Sequence, residues 1–265
     1  MRGSALVTPL PPVGRVRRVA LSAVLCAGLA VALTACGEDP DAGTNGIGKL
    51  SAEEIENKAR AAADAAASVR LSGTLVSKGG TYKLNMRLKH DGGTGSLTSK
   101  ENAFELLRID DALFLKADAG FWSHVDGGGE EPSKSDMEAA EKLADKYVKV
   151  PKGDPSYKQF RGFTDMDVLL DGLLGMQGEL SKGDRTQVGG VRTIKVTAGE
   201  GGRGGVLDVS LEGKPFPLQF ARAGGAGVLT LADWDKDFPL AEPAKGETVD
   251  YGGQLPKTSG SGSGG

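Results

Sequence analysis

The spacing of apolar residues changes along the chain, and each spacing predicts a different element. Ile55, Ala59, Ala62, Ala66 and Val69 recur at helical intervals. Just before them Ser51 and Glu54 stand three apart, the capping-box pattern that opens a helix. That face is mostly alanine, so the helix can lie close to a sheet while adding little bulk to a core. From Tyr82 the period shortens to two: Tyr82, Leu84, Met86 and Leu88 alternate with Lys83, Asn85, Arg87 and Lys89. Residues 104–109 form a further strand candidate, and Asp110-Asp111 marks a turn before Leu113-Phe114-Leu115. Downstream, Leu207, Val209 and Leu211 alternate with Asp208 and Ser210. Phe216, Leu218 and Phe220 repeat the pattern beyond a turn at Gly213. Residues 228–231 close the sheet, and Arg192, Ile194 and Val196 fit a strand less cleanly.

Two helical segments separate these strand groups. Residues 136–147 carry Met137, Ala140, Ala144 and Tyr147 on one side. Residues 164–174 carry Met166, Leu169, Leu170, Leu173 and Leu174, with Thr164 as N-cap. The order of helix, strands, two helices and strands predicts an α+β fold. Its large antiparallel sheet has one apolar and one wet face, with helices gathered on one side.

The first residues obey no such periodicity. Arg2, Arg15, Arg17 and Arg18 precede a run without charge over residues 19–33. That run falls short of the roughly 20 residues that span a bilayer, and its basic flank reads as an export signal. It ends Leu33-Thr34-Ala35-Cys36-Gly37, which resembles the bacterial lipobox. The resemblance implies cleavage after Ala35 and a diacylglycerol on the sulfur of Cys36. The chain then divides into a signal peptide (1–35), a lipidated cysteine with a flexible tether (36–49), one lipoprotein domain (50–251) and a Gly/Ser tail (252–265). The membrane is a partner through this anchor, and the domain sits on the outer face of the cell membrane. Arg17-Arg18 is compatible with general secretion and with twin-arginine export.

Charge and cysteine usage narrow the chemistry. Of the two cysteines, Cys26 leaves with the signal, so the mature chain has no disulfide and no thiol nucleophile. Losing the four signal arginines leaves 28 basic against 35 acidic residues, a formal charge of −7. A domain so acidic has no electrostatic drive toward nucleic acid, which is excluded as a partner.

Several motifs fail on context. Residues 43–50 (GTNGIGKL) approach a phosphate-binding loop but lack the hydroxyl residue after the lysine and any preceding strand. Gly199, Gly201 and Gly204 have dinucleotide-loop spacing, yet strand patterns flank them on both sides, so a hairpin loop is expected. His90 and His124 have no partner at metal-ligand spacing. Asp165, Asp167 and Asp171 fit a helix start. The run Asp233-Trp234-Asp235-Lys236-Asp237 lacks calcium-loop spacing. No serine lies in a nucleophile motif. The sequence therefore predicts no catalytic residues, no metal and no cofactor: not an enzyme.

The order of parts carries a resemblance. The lipobox, tether and Ala-rich helix precede Arg70-Leu71-Ser72-Gly73. The hairpin Ile109-Asp110-Asp111-Ala112-Leu113-Phe114-Leu115 leads to Phe121-Trp122, and residues 229–243 (LTLADWDKDFPLAEP) follow the last strand. Together, over residues 50–245, these resemble actinobacterial lipoproteins of the LppX/LprG type, whose fold is like the LolA and LolB carriers. The resemblance implies a curved antiparallel half-barrel with helices packed on its concave face. Between them it implies an apolar cavity that binds, and transfers, acylated lipids or glycolipids. The implied lining is Leu84, Met86, Leu88, Phe104, Leu106, Phe114, Leu207, Val209, Leu211 and Phe220. Burying acyl methylenes is worth about 0.8 kcal/mol each before ordering costs, so such a site needs little polar chemistry. A second reading is a closed half-barrel that docks an envelope protein partner, a sensor or transporter, through an exposed apolar patch near Phe121-Trp122 or Trp234.

Overall fold

The computed structural model describes residues 41–77, 80–100, 102–123 and 133–250. The signal segment with Cys36, His124 and the tail at 252–265 lie outside them. Helix α1 (Ala52–Asp64) begins at the capping box: Glu54 N donates to Ser51 Oγ at 3.2 Å, and Ser51 N donates to Glu54 Oε2 at 3.0 Å. A meander follows: β1 (Ser68–Ser77), β2 (Gly80–Lys89), β3 (Gly92–Thr98), β4 (Ala103–Ile109) and β5 (Ala112–Ala117). Next come α2 (Ala119–Ser123), α3 (Lys134–Leu143), β6 (Tyr147–Lys149), α4 (Pro155–Thr164) and α5 (Met166–Leu173). The second strand group is β7 (Leu180–Val188), β8 (Val191–Ala198), β9 (Gly205–Ser210), β10 (Pro217–Ala221) and β11 (Gly227–Ala232), and β12 (Thr248–Asp250) comes last. These strands form one open twelve-stranded sheet, in the order β12-β6-β5-β4-β3-β2-β1-β11-β10-β9-β8-β7. Neighbours are antiparallel except β12, which lies parallel to β6. The α+β class with an antiparallel sheet is as the sequence predicts.

Local chemistry moves several boundaries. The helix expected over 136–147 is α3, capped by Ser133, and Tyr147 instead opens β6. Thr164 ends α4 rather than capping α5. Asp165 caps α5, its side chain accepting from Val168 N at 3.3 Å. Helix α4 was not expected, although Asp154 caps it and Pro155 opens it as such residues should. Residues 41–49, expected to be part of a free tether, are docked. Asn45 N donates to Leu211 O at 2.8 Å, and Asn45 Nδ2 donates to Ser210 O and Gly213 O. Arg185 Nη2 reaches both Asp41 oxygens at 2.7 Å, and Ile47 is buried. Ile47 gives this segment something to bury, and its polar side chains find partners on β7–β9.

Strand alternation sorts side chains onto two faces. Val69, Leu71, Leu84, Met86, Leu88, Leu229 and Leu231 share the inner face of the central strands, each almost wholly buried. Helix α1 lies across β7–β10 on this side, where Ala59 and Ala63 allow close approach, and α4 lies against β3–β5. Helix α5 adds Met166, Leu169, Leu170 and Leu173 to the same core. Arg108 interrupts this apolar face. It opposes Leu113 across β4–β5 and is 2% exposed. Its guanidinium donates to Thr164 O (3.0 Å from Nη2), Asp110 O (2.8 Å from Nη1) and His90 O (3.4 Å from Nη2). One side chain thereby ties the end of α4 to the β2–β3 and β4–β5 turns. The carbonyl end of α4 favours a cation there. Burial lowers the Arg108 pKa, and Asp165 opposes that shift. At Gly93 a Cβ would meet Thr164 O at 2.9 Å, so only glycine admits this approach of α4.

The C-terminal segment crosses the outer face, because β11 and β12 lie far apart in the strand order. Lys89 Nζ pairs with Asp237 and lies 4.7 Å from the Phe238 ring centroid. Leu240 Cδ1 comes 2.8 Å from where a Cβ on Gly92 would stand. Lys146 Nζ donates to Gly246 O before β12 pairs with β6. Leu107 and Phe114 also face outward and are buried. Because the Arg108 guanidinium satisfies three carbonyls at once, Arg108→Met should destabilise the fold by about 3 kcal/mol, measured by urea unfolding. Arg108→Lys, with one ammonium for three acceptors, should recover less than half of that loss.

Candidate functional site

The candidate site is the inner face of the sheet under its helices. Of the residues named as lining, Leu84, Met86, Leu88, Phe104, Leu106, Leu207, Val209, Leu211 and Phe220 lie on this face, in or against one hydrophobic cluster. Phe114 does not. It pairs with Leu107 on the opposite face, and Leu113 and Leu115 take the inward positions. The run Leu113-Phe114-Leu115 is apolar throughout, so it carries no parity by which the sequence could tell one face from the other. The strand side chains themselves are sealed: Met86, Leu88, Leu106, Val209 and Phe220 are 0% exposed.

The less tightly sealed part lies at the end of the sheet where β1 finishes and β4 begins. Leu75, Phe104, Ala119, Met176 and Leu180 are only half-buried there, though packed against the core. Phe104 is the centre of an aromatic cluster, with its ring 5.6 Å from Phe121 and 5.7 Å from Phe160. Trp122 packs edge-on to Phe121 at 5.2 Å. Trp122 is 5% exposed, and among the described residues its Nε1 has no hydrogen-bond partner. A buried indole N–H normally finds an acceptor, and leaving it unpaired costs on the order of 1–3 kcal/mol. Helices α2 and α3 pack chiefly on one another beside this donor. Sequence reading placed Phe121-Trp122 in an exposed patch or merely after a hairpin. No sequence signal marks an indole that folding leaves without an acceptor.

The other candidates separate in space. His90 Nδ1 stands 3.4 Å from Asp167 Oδ1 on the surface, both side chains exposed. Gly199, Gly201 and Gly204 lie in the β8–β9 connection, as a hairpin loop requires. Among the described residues, no three His, Cys, Asp or Glu side chains converge as metal ligands. In the acidic run, Asp233 pairs with Lys236 and Asp235 with Lys214. The hydrogen-bonded lysines hold both carboxyls below the usual carboxylate range. Trp234 does not form an exposed patch: it stacks on Phe216 at 4.8 Å, and its Nε1 donates to Pro217 O at 3.0 Å. Among the described residues no helix is long and apolar enough to cross a membrane.

No protein-family model matches the chain, and no curated protein does. Among solved structures it is similar to LprF from Mycobacterium bovis, with 15% identity and a TM-score of 0.48, covering 73% of this chain and 97% of that one. It is also similar to the lipoprotein LppX from Mycobacterium tuberculosis, with 12% identity, a TM-score of 0.42, and coverage of 72% and 98%. A third is an uncharacterized conserved protein from Thermus thermophilus, with 10% identity, a TM-score of 0.36, and coverage of 75% and 98%. LppX is of the type that the sequence resembles. Likenesses this distant bear on neither the ligand nor the activity of this chain.

An unpaired N–H that destabilises the empty protein can be removed at little cost. Trp122→Phe should change unfolding free energy by no more than about 1 kcal/mol, because lost packing is offset by the removed donor. Trp122→Ala should cost about 3–5 kcal/mol in the same urea titration.

Proposed function

We propose that the chain is a membrane-anchored envelope lipoprotein that binds an acylated lipid or glycolipid between its sheet and its helices, and passes it on, without catalysis. The observation that carries this reading is the Nε1 of Trp122, unpaired among the described residues and set against the aromatic cluster of the interior. An acyl ester or amide brings a long hydrocarbon for the apolar surface and one carbonyl for that donor. The inner-face residues of β2, β4, β9 and β10 supply the hydrocarbon contact, with Phe104, Phe121 and Phe160 at the entrance. Because the strand side chains are already sealed, the ligand enters where α2 and α3 meet the aromatic cluster. Cys36 carries the anchor, and residues 50–251 act as the lipid-handling domain.

Native mass spectrometry of the chain from residue 37 should find it carrying acyl lipids from its host. Repeated recovery of empty protein that also refuses added monopalmitoylglycerol would sink the proposal. The Trp122→Phe variant should bind monopalmitoylglycerol roughly tenfold more weakly, as for one hydrogen bond lost in a dry site, while its affinity for hexadecane is unchanged. Anchoring has its own readout. Intact mass of the membrane fraction should show cleavage before Cys36 plus acyl chains, and Cys36→Ala protein should leave the membrane.

A further inference from the structure

A second site stands on the opposite face of the sheet. Arg70 and Arg87 are register partners on the outer face of β1 and β2. Like charges placed directly across two strands repel, and an anion bound between them relieves that repulsion. The carboxylates beside them are shared with lysines, and the charges of Arg70 and Arg87 also help Lys236 to hold the Asp233 carboxyl below its usual range. Asp233 pairs with Lys236 at 2.7 Å, and Asp237 pairs with Lys89. Neither arginine has a carboxylate within salt-bridge distance among the described residues. The two guanidiniums line a pocket of about 150 Å³ together with Val69, Asp233, Lys236, Asp237 and Phe238. Counting Lys89, four cations face two carboxylates around it.

The walls of this pocket are held in place before any ligand arrives. Asp235 N donates to Ser68 O at 3.0 Å, and Ala67 N donates to Asp235 Oδ1 at 2.8 Å. Asp233 and Asp235 take φ of 53° and 59°, left-handed values that aspartate tolerates better than most residues. The Phe216–Trp234 stack closes the loop behind them. Guanidinium forks match the oxygens of phosphate in a bidentate manner, and two adjacent forks can share one tetrahedral anion.

We infer that Arg70 and Arg87, beneath the start of the C-terminal strap, bind a phosphate group. Two sources share that chemistry, a phospholipid head group and a free phosphate. The docked segment at Asp41 favours the first. Arg192 binds the carbonyls of Ala42 and Gly43 at the β8 end that points the same way as the pocket end of β1. Residues 37–40 alone separate Asp41 from Cys36, so an anchor there holds this end within about 18 Å of its lipid. This choice of source rests on the anchoring reading above; the pocket itself does not.

The test uses the chain from residue 37, which keeps every contact described, and the double variant Arg70→Gln/Arg87→Gln. Calorimetric titration with inorganic phosphate should give saturable binding that weakens at least tenfold in the double variant. Lys152→Gln, which removes a cation paired with Asp111 away from the pocket, should leave it unchanged. Cosedimentation should be greater with phosphatidylcholine vesicles containing phosphatidylglycerol than without it, against the repulsion expected of an acidic domain, and should be lost in the double variant. Phosphate binding without vesicle retention would assign the pocket to a free phosphate. Phosphate and vesicle binding that are absent, or equal in the double variant, would overturn the proposal. Acyl-lipid occupancy of the interior, read by native mass spectrometry, should be the same in both proteins, so failure here is separable from failure of the lipid-binding reading.

Discussion

The two-residue period of the long central strands is the constraint on which the rest of this structure depends. Strands β1 and β2 pair over their whole ten-residue lengths, from Ser68 with Lys89 to Ser77 with Gly80. A slip by one residue would turn Val69, Leu71, Leu84, Met86 and Leu88 to solvent and bring Arg70, Arg87 and Lys89 inside. That penalty fixes the register, and the register fixes which face the helices must cover. The described fold contains no cysteine, so no disulfide shares the task. A sheet this wide closes its apolar face with two helical groups, one from each half of the chain: the Ala-faced α1 over β7–β10, and α4 with α5 over the other half.

Elements whose pattern was unambiguous were legible in the sequence. The alternation in β2 and β9 and the capping box of α1 each name one structure. Elements whose stability comes from elsewhere were not. Strand β3 reads Gly-Gly-Thr-Gly-Ser-Leu-Thr, with almost no hydrophobic signal. It exists because β2 and β4 pair with it on both sides and because Gly92 and Gly93 admit Leu240 and Thr164 closely. Strand β7 is an edge strand rich in charged and polar residues, which suits an edge but hides it from a periodicity search. Helix α4 had a readable signal in Asp154-Pro155 followed by Tyr157, Phe160 and Thr164. The strap could not be foreseen, because its apolar residues bury against an outer face that alternation alone predicts to be wet. Phe114 also lies on that outer face, and the unbroken apolar run around it gives the sequence no parity to show this.

The candidate lipid site was legible as a surface and not as a site. Alternation identifies the inward residues of a strand, but burial is the same observation whether a core or a ligand lies against them. Only the satisfaction of polar groups distinguishes the two. Arg108 and Trp122 make the contrast plain. Both are polar groups on the apolar side, and both are nearly inaccessible to water. Arg108 is surrounded by the three carbonyls it needs, so it is complete as part of the fold. Trp122 has its ring packed and, among the described residues, its N–H unmet.

The same reasoning applies on the outer face with charge in place of hydrogen bonding. Most cations of this acidic chain that meet a carboxylate are satisfied by it: Arg185 by Asp41, Lys152 by Asp111, Lys214 by Asp235. Arg70 and Arg87 are set side by side and share the nearby Asp233 with Lys236, so cations outnumber carboxylates there. A sequence that specifies one fold makes its local choices agree, and the places where agreement stops are where function is expected. Among the described residues, a lone donor in the dry interior and a cation-rich pocket outside stand on opposite faces of one sheet. A phospholipid carries the complement of both, acyl carbonyls and a phosphate, but one molecule cannot reach across the sheet to fill them together. The two proposed sites would therefore take separate ligands, one on each face of the sheet.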